Sequence, residues 1–488
     1  MKKSVNIFVL VIIFIVTGHV SRAQDMYQPT WESLSKYQCP DWFRDAKFGI
    51  FIHWGVYSVP AFSSEWYPRQ MYDRNDTTVF NHHVRTYGTQ DKFGYKDFIP
   101  MFRAEKFDPN AWIDLFIRAG AKYVVPVAEH HDGFAMYNTS LSKWNAFNMG
   151  PKRDIIGELA AAAHKRGMIF GLSSHRIEHW FFMSEGKKFK SDVQDPTYAD
   201  FYGPAMDQRD TAMTAEYMND WLLRNCELVD KYQPQLFWFD WYIEQSCLEP
   251  YRKTFAAYYY NHAMQWNKGV VINFKNHAFP DNVAVYDIER GSSRATRRYP
   301  WQTDTSVGKK SWGYITGEEN KTSNEIIDAL IDIVSKNGNL LLNIGPRPDG
   351  TITQGQQDVL LGIGAWLKVN GEAIYGTRPW VVAEEGPTMA NDGSFGDTKP
   401  VSYTAQDIRF TSKGDTVYAM ILDVPATKTI AIRSLAAGSN SSAKIASVEL
   451  LGSAEKIKWS QKTSGLLIRT PSSIPCREAL AFKVVLQR

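Results

Sequence analysis

Gln235-Leu236-Phe237-Trp238-Phe239-Asp240 is an almost wholly apolar run that stops at a carboxylate. A buried parallel strand reads this way: its body is hydrophobic on both faces, and its carboxyl end delivers one charged side chain to the rim of a barrel. Asp240 is therefore the first candidate catalytic group. The alternative is that it caps the next helix or makes an ion pair, as Asp often does. Other strand-like runs in the chain bear on the choice, because they too end in His, Glu or Trp. Several polar endings converging on one rim make a site.

Working outward from this run, short apolar stretches alternate with amphipathic ones. The spacing predicts strands at 48–54, 123–129, 168–175, 235–240, 270–275, 283–289 and 340–344, with a further short one near Trp312. Helical patterns lie between them at 109–119, 155–166, 211–232, 250–266, 322–336 and 354–369. Eight strand slots alternating with helices over some three hundred residues predict a (β/α)8-type barrel rather than a doubly wound sheet. After Gly376-Thr377-Arg378-Pro379-Trp380 the text changes to short strand-like runs at 408–411, 416–422, 429–432, 445–451, 465–469 and 479–485, separated by Gly, Ser, Asn and Pro. That pattern predicts a C-terminal all-β sandwich. The expected division is a barrel over 24–378 and a sandwich over 379–488, with a structural or carbohydrate-contacting role for the second.

The 488 residues are 44% hydrophobic and 14% aromatic, enough for two cores. A formal charge of +3 without a Lys/Arg stripe gives no sign of a nucleic-acid partner. Lys2 and Lys3, the apolar run from Ile7 to Val16 and Ser21-Arg22-Ala23 have the tripartite form of a secretory leader, expected to be cleaved after Ala23. Export to the periplasm or the medium follows. No later stretch is apolar and long enough for a membrane span. The four cysteines, Cys39, Cys226, Cys247 and Cys476, have no paired metal-ligand spacing, so neither a zinc ribbon nor a disulfide framework is expected, although one bridge is possible in an oxidising compartment. Sixteen Trp suit the stacking of sugar rings, and core packing uses Trp as well.

Three early clusters carry polar chemistry: Phe51-Ile52-His53-Trp54-Gly55, Ser64-Glu65-Trp66-Tyr67 and Glu129-His130-His131-Asp132-Gly133-Phe134. The first and third end successive strands, so His53, His130 and His131 are expected at one mouth. A metal reading is available, since His53, His130, His131, His175 and His179 are zinc-ligand types. Against it, no helical His-Glu-x-x-His stretch is present, and adjacent His130 and His131 do not readily aim at one ion. No metal or cofactor is expected. Glycoside hydrolysis instead needs two carboxyl groups across the scissile bond. Asp240 supplies one, and Glu289, ending the run from Val283, is the best second. Glu178, Glu244, Glu249 and Asp304 are weaker competitors.

These residues carry a resemblance. The chain is similar to the α-L-fucosidases of glycoside hydrolase family 29, through Trp42 to Gly55, Ser64 to Tyr67, His130 to Phe134, Lys152-Arg153-Asp154, Leu236 to Asp240, Ser311-Trp312-Gly313-Tyr314 and Ser335 to Pro346. The resemblance implies a retaining exo-hydrolase of terminal α-L-fucose acting on fucosylated oligosaccharides or glycoconjugates. It gives Asp240 the part of nucleophile and Glu289, twelve residues before Trp301, that of acid/base. It implies hydroxyl contacts from His53, Glu65, Trp66, His130 and His131, with Trp238 under the ring. Apolar surface on Trp66, Trp238 and Trp312 suits the methyl-bearing face of fucose. Departures are Ser173-Ser174-His175, where relatives often have a Tyr pair, Lys275, the nearest match to an Arg after the fifth strand and the sugar contact expected there, and Gln302, where a Glu is common. Lys offers one point donor where Arg offers a planar fork. The alternatives are a barrel hydrolase for another α-linked sugar such as galactose, or a non-catalytic sugar-binding protein. The mechanism requires Asp240 to stay ionised and Glu289 to hold its proton.

Overall fold

β1 (Phe48–Ile52) is buried along its whole length and alternates by face: Phe51 belongs to one apolar cluster, and Phe48, Ile50 and Ile52 to another. The first cluster is the inside of a barrel and the second lies between strands and helices, as the two-residue period of a strand dictates. In the computed structural model, which describes residues 26–399, 401–438 and 444–487, β1 is followed by β2 (Tyr123–Glu129), β3 (Ile169–Ser174), β4 (Leu236–Phe239), β5 (Val271–Phe274), β6 (Val285–Glu289), β7 (Trp301–Ser306) and β8 (Gly338–Ile344). All eight pair in parallel with their sequence neighbours, and β8 closes on β1 with Ile52 opposite Ile344. The expected leader lies outside the described residues.

The seventh strand corrects the sequence expectation. It is Trp301-Gln302-Thr303-Asp304-Thr305-Ser306, and Trp312 sits in the loop beyond it. Every residue of β7 is buried, yet most are polar, so an apolar-run criterion passes over it. The burial is affordable because the side chains are bonded inside the protein: Gln302 receives the Tyr123 hydroxyl at 2.8 Å, and Thr303 donates to the Ile288 carbonyl at 2.6 Å.

The longer helices between and after the barrel strands are α1 (Pro109–Arg118), α2 (Ile155–Lys165), α3 (Ala215–Tyr232), α4 (Glu249–Trp266), α5 (Ser323–Ser335) and α6 (Gln354–Asn370). The third begins later than its pattern suggests, because Thr214 is its N-cap and accepts from the Tyr217 amide. Thr322 and Glu325 form a capping box at the start of α5.

The chain then enters an antiparallel region of two sheets: β9 (Arg378–Glu385), β10 (Ile408–Lys413), β11 (Thr416–Ile421), β13 (Ile445–Leu450) and β16 (Leu480–Leu486) in the order β13-β16-β11-β10-β9, and β12 (Thr429–Ile432), β14 (Trp459–Lys462) and β15 (Gly465–Arg469) in the order β12-β15-β14. β9 and β14 are additional to the strands expected from the sequence, and neither is fully buried at any residue. β11 is buried on both faces: Val417, Ala419 and Ile421 enter the sandwich core, whereas Tyr418 and Met420, with Leu422 just beyond the strand, pack with the barrel.

Candidate active site

The phase of the barrel strands decides which side chains reach the mouth. Phe51, Trp238, Val271, Val285 and Leu341 point inside, so two residues further along each strand direction come His53, Asp240, Asn273, Asp287 and Asn343. One more step of the same phase gives Lys275 and Glu289 at the ends of β5 and β6. Of these endings, His53, Asp240 and Glu289 line a cavity of about 590 Å³ at the carboxyl ends of the strands, a size suited to a small ligand.

Asp240 and Glu289 both line this cavity, and their surroundings split their acidities. Burial works to raise the Asp240 carboxyl, but His175 and His131 outweigh it and hold the group well below the usual carboxylate range. The contacts are 2.9 Å from His175 Nδ1 and 3.3 Å from His131 Nε2 to the same oxygen. Burial lowers the His175 imidazole against the opposing pull of Asp240, and while its Nδ1 faces Asp240 its Nε2 lies 3.0 Å from the Ser173 hydroxyl. Glu289 is pushed the other way. Its burial and the charge of Asp240 raise it, against the opposing pull of Lys275 at 3.5 Å and a hydrogen bond donated by Trp241 Nε1.

The remaining expected contacts converge with one exception. His53, Glu65, Trp66, His130, His131 and Trp238 all line the cavity, as does Trp312. Glu65 is buried and accepts from the Ser311 hydroxyl at 3.0 Å and the Trp312 amide at 2.9 Å, which fixes the loop after β7. His53 is oriented by Asn343, whose Oδ1 lies 2.8 Å from Nδ1. His130 Nδ1 and Trp238 Nε1 are buried without a hydrogen-bond partner in the protein. Lys275 is the exception: it lies behind the wall, 3.0 Å from both Asp287 and Asp304, with its ammonium 5.0 Å from the centre of the Trp238 ring. A lysine drawn in by three carboxylates cannot extend toward a sugar in the manner of an Arg fork.

His175, Glu178 and Trp241 also line the cavity; the sequence offers His175 only as a metal-ligand type and a departure from relatives, Glu178 only as a weaker carboxylate competitor, and gives no pointer to Trp241. The signal for His175 was available, since it follows a strand as His53 and Asp240 do. His179, four residues on, does not share its direction: its Nδ1 bonds the His131 carbonyl at 2.8 Å. Among the described residues, two groups have metal-ligand geometry, His53 with His130 and His175, and His131 with His175 and Asp240, each with donor atoms within 4.8 Å of one another. Both nitrogens of His175 and of His131 are already engaged by protein groups, so an ion would have to displace those bonds. The four cysteines are free.

Similarity to known proteins extends over most of the chain. A family model described as alpha-L-fucosidase matches residues 14–372, and one described as alpha-L-fucosidase C-terminal domain matches residues 402–485. The tissue alpha-L-fucosidase of Rattus norvegicus is 34% identical over 92% of this chain and 89% of its own length. That of Homo sapiens is 33% identical over 95% and 93%. The crystal structure of Thermotoga maritima alpha-fucosidase in complex with fucose superposes with a TM-score of 0.74 at 32% identity, covering 94% of this chain and all of the other. The matches thus take in both the barrel and the antiparallel region, and the chain belongs to the α-L-fucosidase family.

Proposed function

We propose that this protein is a retaining exo-glycosidase that removes terminal α-L-fucosyl residues from fucosylated oligosaccharides or glycoconjugates. The observation that carries the reading is the opposed proton affinity of two carboxyl groups on one cavity: Asp240 held ionised by two imidazoles, Glu289 raised by burial and by Asp240 itself. In the proposed double displacement, the Asp240 carboxylate attacks the anomeric carbon while Glu289 gives its proton to the departing oxygen. Water then attacks the glycosyl ester, Glu289 takes up the water proton, and fucose leaves with its configuration retained. His53, Glu65, Trp66, His130 and His131 hold the hydroxyls, and Trp238 and Trp312 offer apolar surface to the methyl-bearing face. Lys275 serves from beneath, balancing Asp287, Asp304 and Glu289 rather than touching the sugar.

The domain division after residue 378 and removal of a leader through Ala23 are part of the same proposal, with the mature protein acting outside the cytoplasm. Among the described residues no helix is long and apolar enough to cross a membrane.

The test is Asp240→Ala on an aryl α-L-fucoside. Turnover should fall by about four orders of magnitude or more, and azide should restore it with formation of a fucosyl azide of inverted configuration. Near-normal turnover would remove Asp240 from the reaction. A chelator should leave wild-type rates unchanged, since no step uses a metal ion.

A further inference from the structure

The segment joining β9 to β10 leaves the second domain and runs back to the barrel mouth. There its backbone is hydrogen-bonded to the end of β6 and the residues just beyond it. The Phe395 amide donates to the Glu289 carbonyl at 2.7 Å, the Asp397 amide to the Arg290 carbonyl at 2.9 Å, and the Gly393 amide to the Ser292 carbonyl at 2.9 Å. Side chains lock the same junction, with Asp397 3.2 Å from Arg290 and 2.7 Å from Lys321. Between these anchors Phe395 takes a left-handed conformation, φ 60°, which a non-glycine residue adopts at a cost. Phe395 lines the cavity of Asp240 and Glu289 and is 49% exposed.

An aromatic ring held at a strained position, half in solvent, beside the one group that must protonate the leaving oxygen has a direct chemical reading. The acid faces the glycosidic oxygen, so the leaving group lies on the Glu289 side of the cavity. A pyranose has an apolar face of C–H groups that stacks on aromatic rings. We propose that Phe395, delivered from the C-terminal domain, is the platform on which the first sugar of the leaving glycan stacks. The inference rests on Glu289 being the acid, and it makes the second domain a determinant of which glycans are cleaved. A small leaving group has nothing to place on the ring.

The experiment compares α-L-fucosyl fluoride with the fucosylated lactose isomer that the wild type cleaves fastest, using Phe395→Ala and Phe395→Trp. Phe395→Ala should lower kcat/KM on the trisaccharide about tenfold more than on the fluoride, the size of one aromatic stacking contact. Phe395→Trp should recover most of that difference, which a merely structural role would not allow, because a larger ring at the same strained position repairs stacking and not packing. Equal losses on both substrates, or none on either, would overturn the platform alone. A wild type that releases no fucose from either substrate would overturn the reaction and the platform with it.

Discussion

Burial, reinforced by the carboxylates around it, pushes the Glu178 carboxyl up to about 8, and its oxygen lies 3.7 Å from His131 Nδ1. Burial alone would discharge His131, but Glu178 and Asp240 outweigh it and push the imidazole up to about 9. Both shifts have the same sign for folding. Between the ordinary Glu value of 4.5 and about 8 the folded protein keeps a proton on Glu178 that the unfolded chain has lost, so stability falls as pH rises through that window. The stabilisation from His131 is whole below its ordinary value of 6.5 and is lost as pH rises through about 9. Glu178→Gln removes the first contribution and weakens the second by taking away a group that holds the imidazolium charge. Melting temperature should therefore fall less between pH 5 and pH 9 in the variant than in the wild type. Other shifted groups are common to both proteins and cancel in the difference, so parallel slopes would refute the assignment. His175 predicts an effect on activity instead. Without its donor, Asp240 protonates at higher pH, so His175→Phe should move the acid limb of kcat/KM upward and cost about 10²-fold at the optimum. An acid limb that stays in place would mean that His131 suffices alone.

At the scale of strands and helices, what was legible in the sequence is what the two-residue period exposes. Leu236 to Phe239 carry a barrel-inward phase that continues into Asp240, and the same reasoning reaches His53 and Glu289. β7 escaped because its residues exchange apolar burial for internal hydrogen bonds, and hydrophobicity is the signal that apolar runs give. Lys275 was placed correctly at a strand end, but its fate depended on Asp287 and Asp304, partners from two other strands that no local pattern names. Helix packing was legible only in outline, and here Gly364 matters. A Cβ on Gly364 in α6 would lie 2.0 Å from the Arg118 carbonyl oxygen at the end of α1, so the two helices approach more closely than any other residue permits. Gly364→Ala forces backbone rather than a flexible side chain to yield. It should cost about 1–3 kcal/mol, read from the urea midpoint, even though alanine is the better helix former. An unchanged or raised midpoint would show that α1 shifts without penalty.

Across the whole molecule the two regions are joined by more than a covalent linker. Trp366 Nε1 in α6 donates to the Ala479 carbonyl at 3.0 Å, and the Thr411 hydroxyl of β10 to the Ala373 carbonyl at 2.7 Å. At the centre of the junction Arg409, fully buried on β10, lies 2.6 Å from Asp332 in α5 and 3.4 Å from Glu384 in β9. Lys336 reaches the same two carboxylates at 2.9 and 3.0 Å. Two cations and two anions thus balance in an interior where one unpaired charge is costly. The seam also anchors the flanks of the segment that carries Phe395, because β9 and β10 are the strands it connects. Arg409→Ala leaves one lysine against two carboxylates and should destabilise the protein by about 3–5 kcal/mol. The loss should be smaller in the double variant Arg409→Met with Asp332→Asn, which removes one charge of each sign and keeps the network neutral. The readout is urea unfolding of the two variants beside the wild type. If both lost the same stability, charge balance would not be what the seam supplies, and packing around Arg409 would carry the cost. If the double variant is the milder, the residues that hold the two regions together do so as a neutral set, and the second region is fixed rigidly enough to present an aromatic side chain at the mouth of the first.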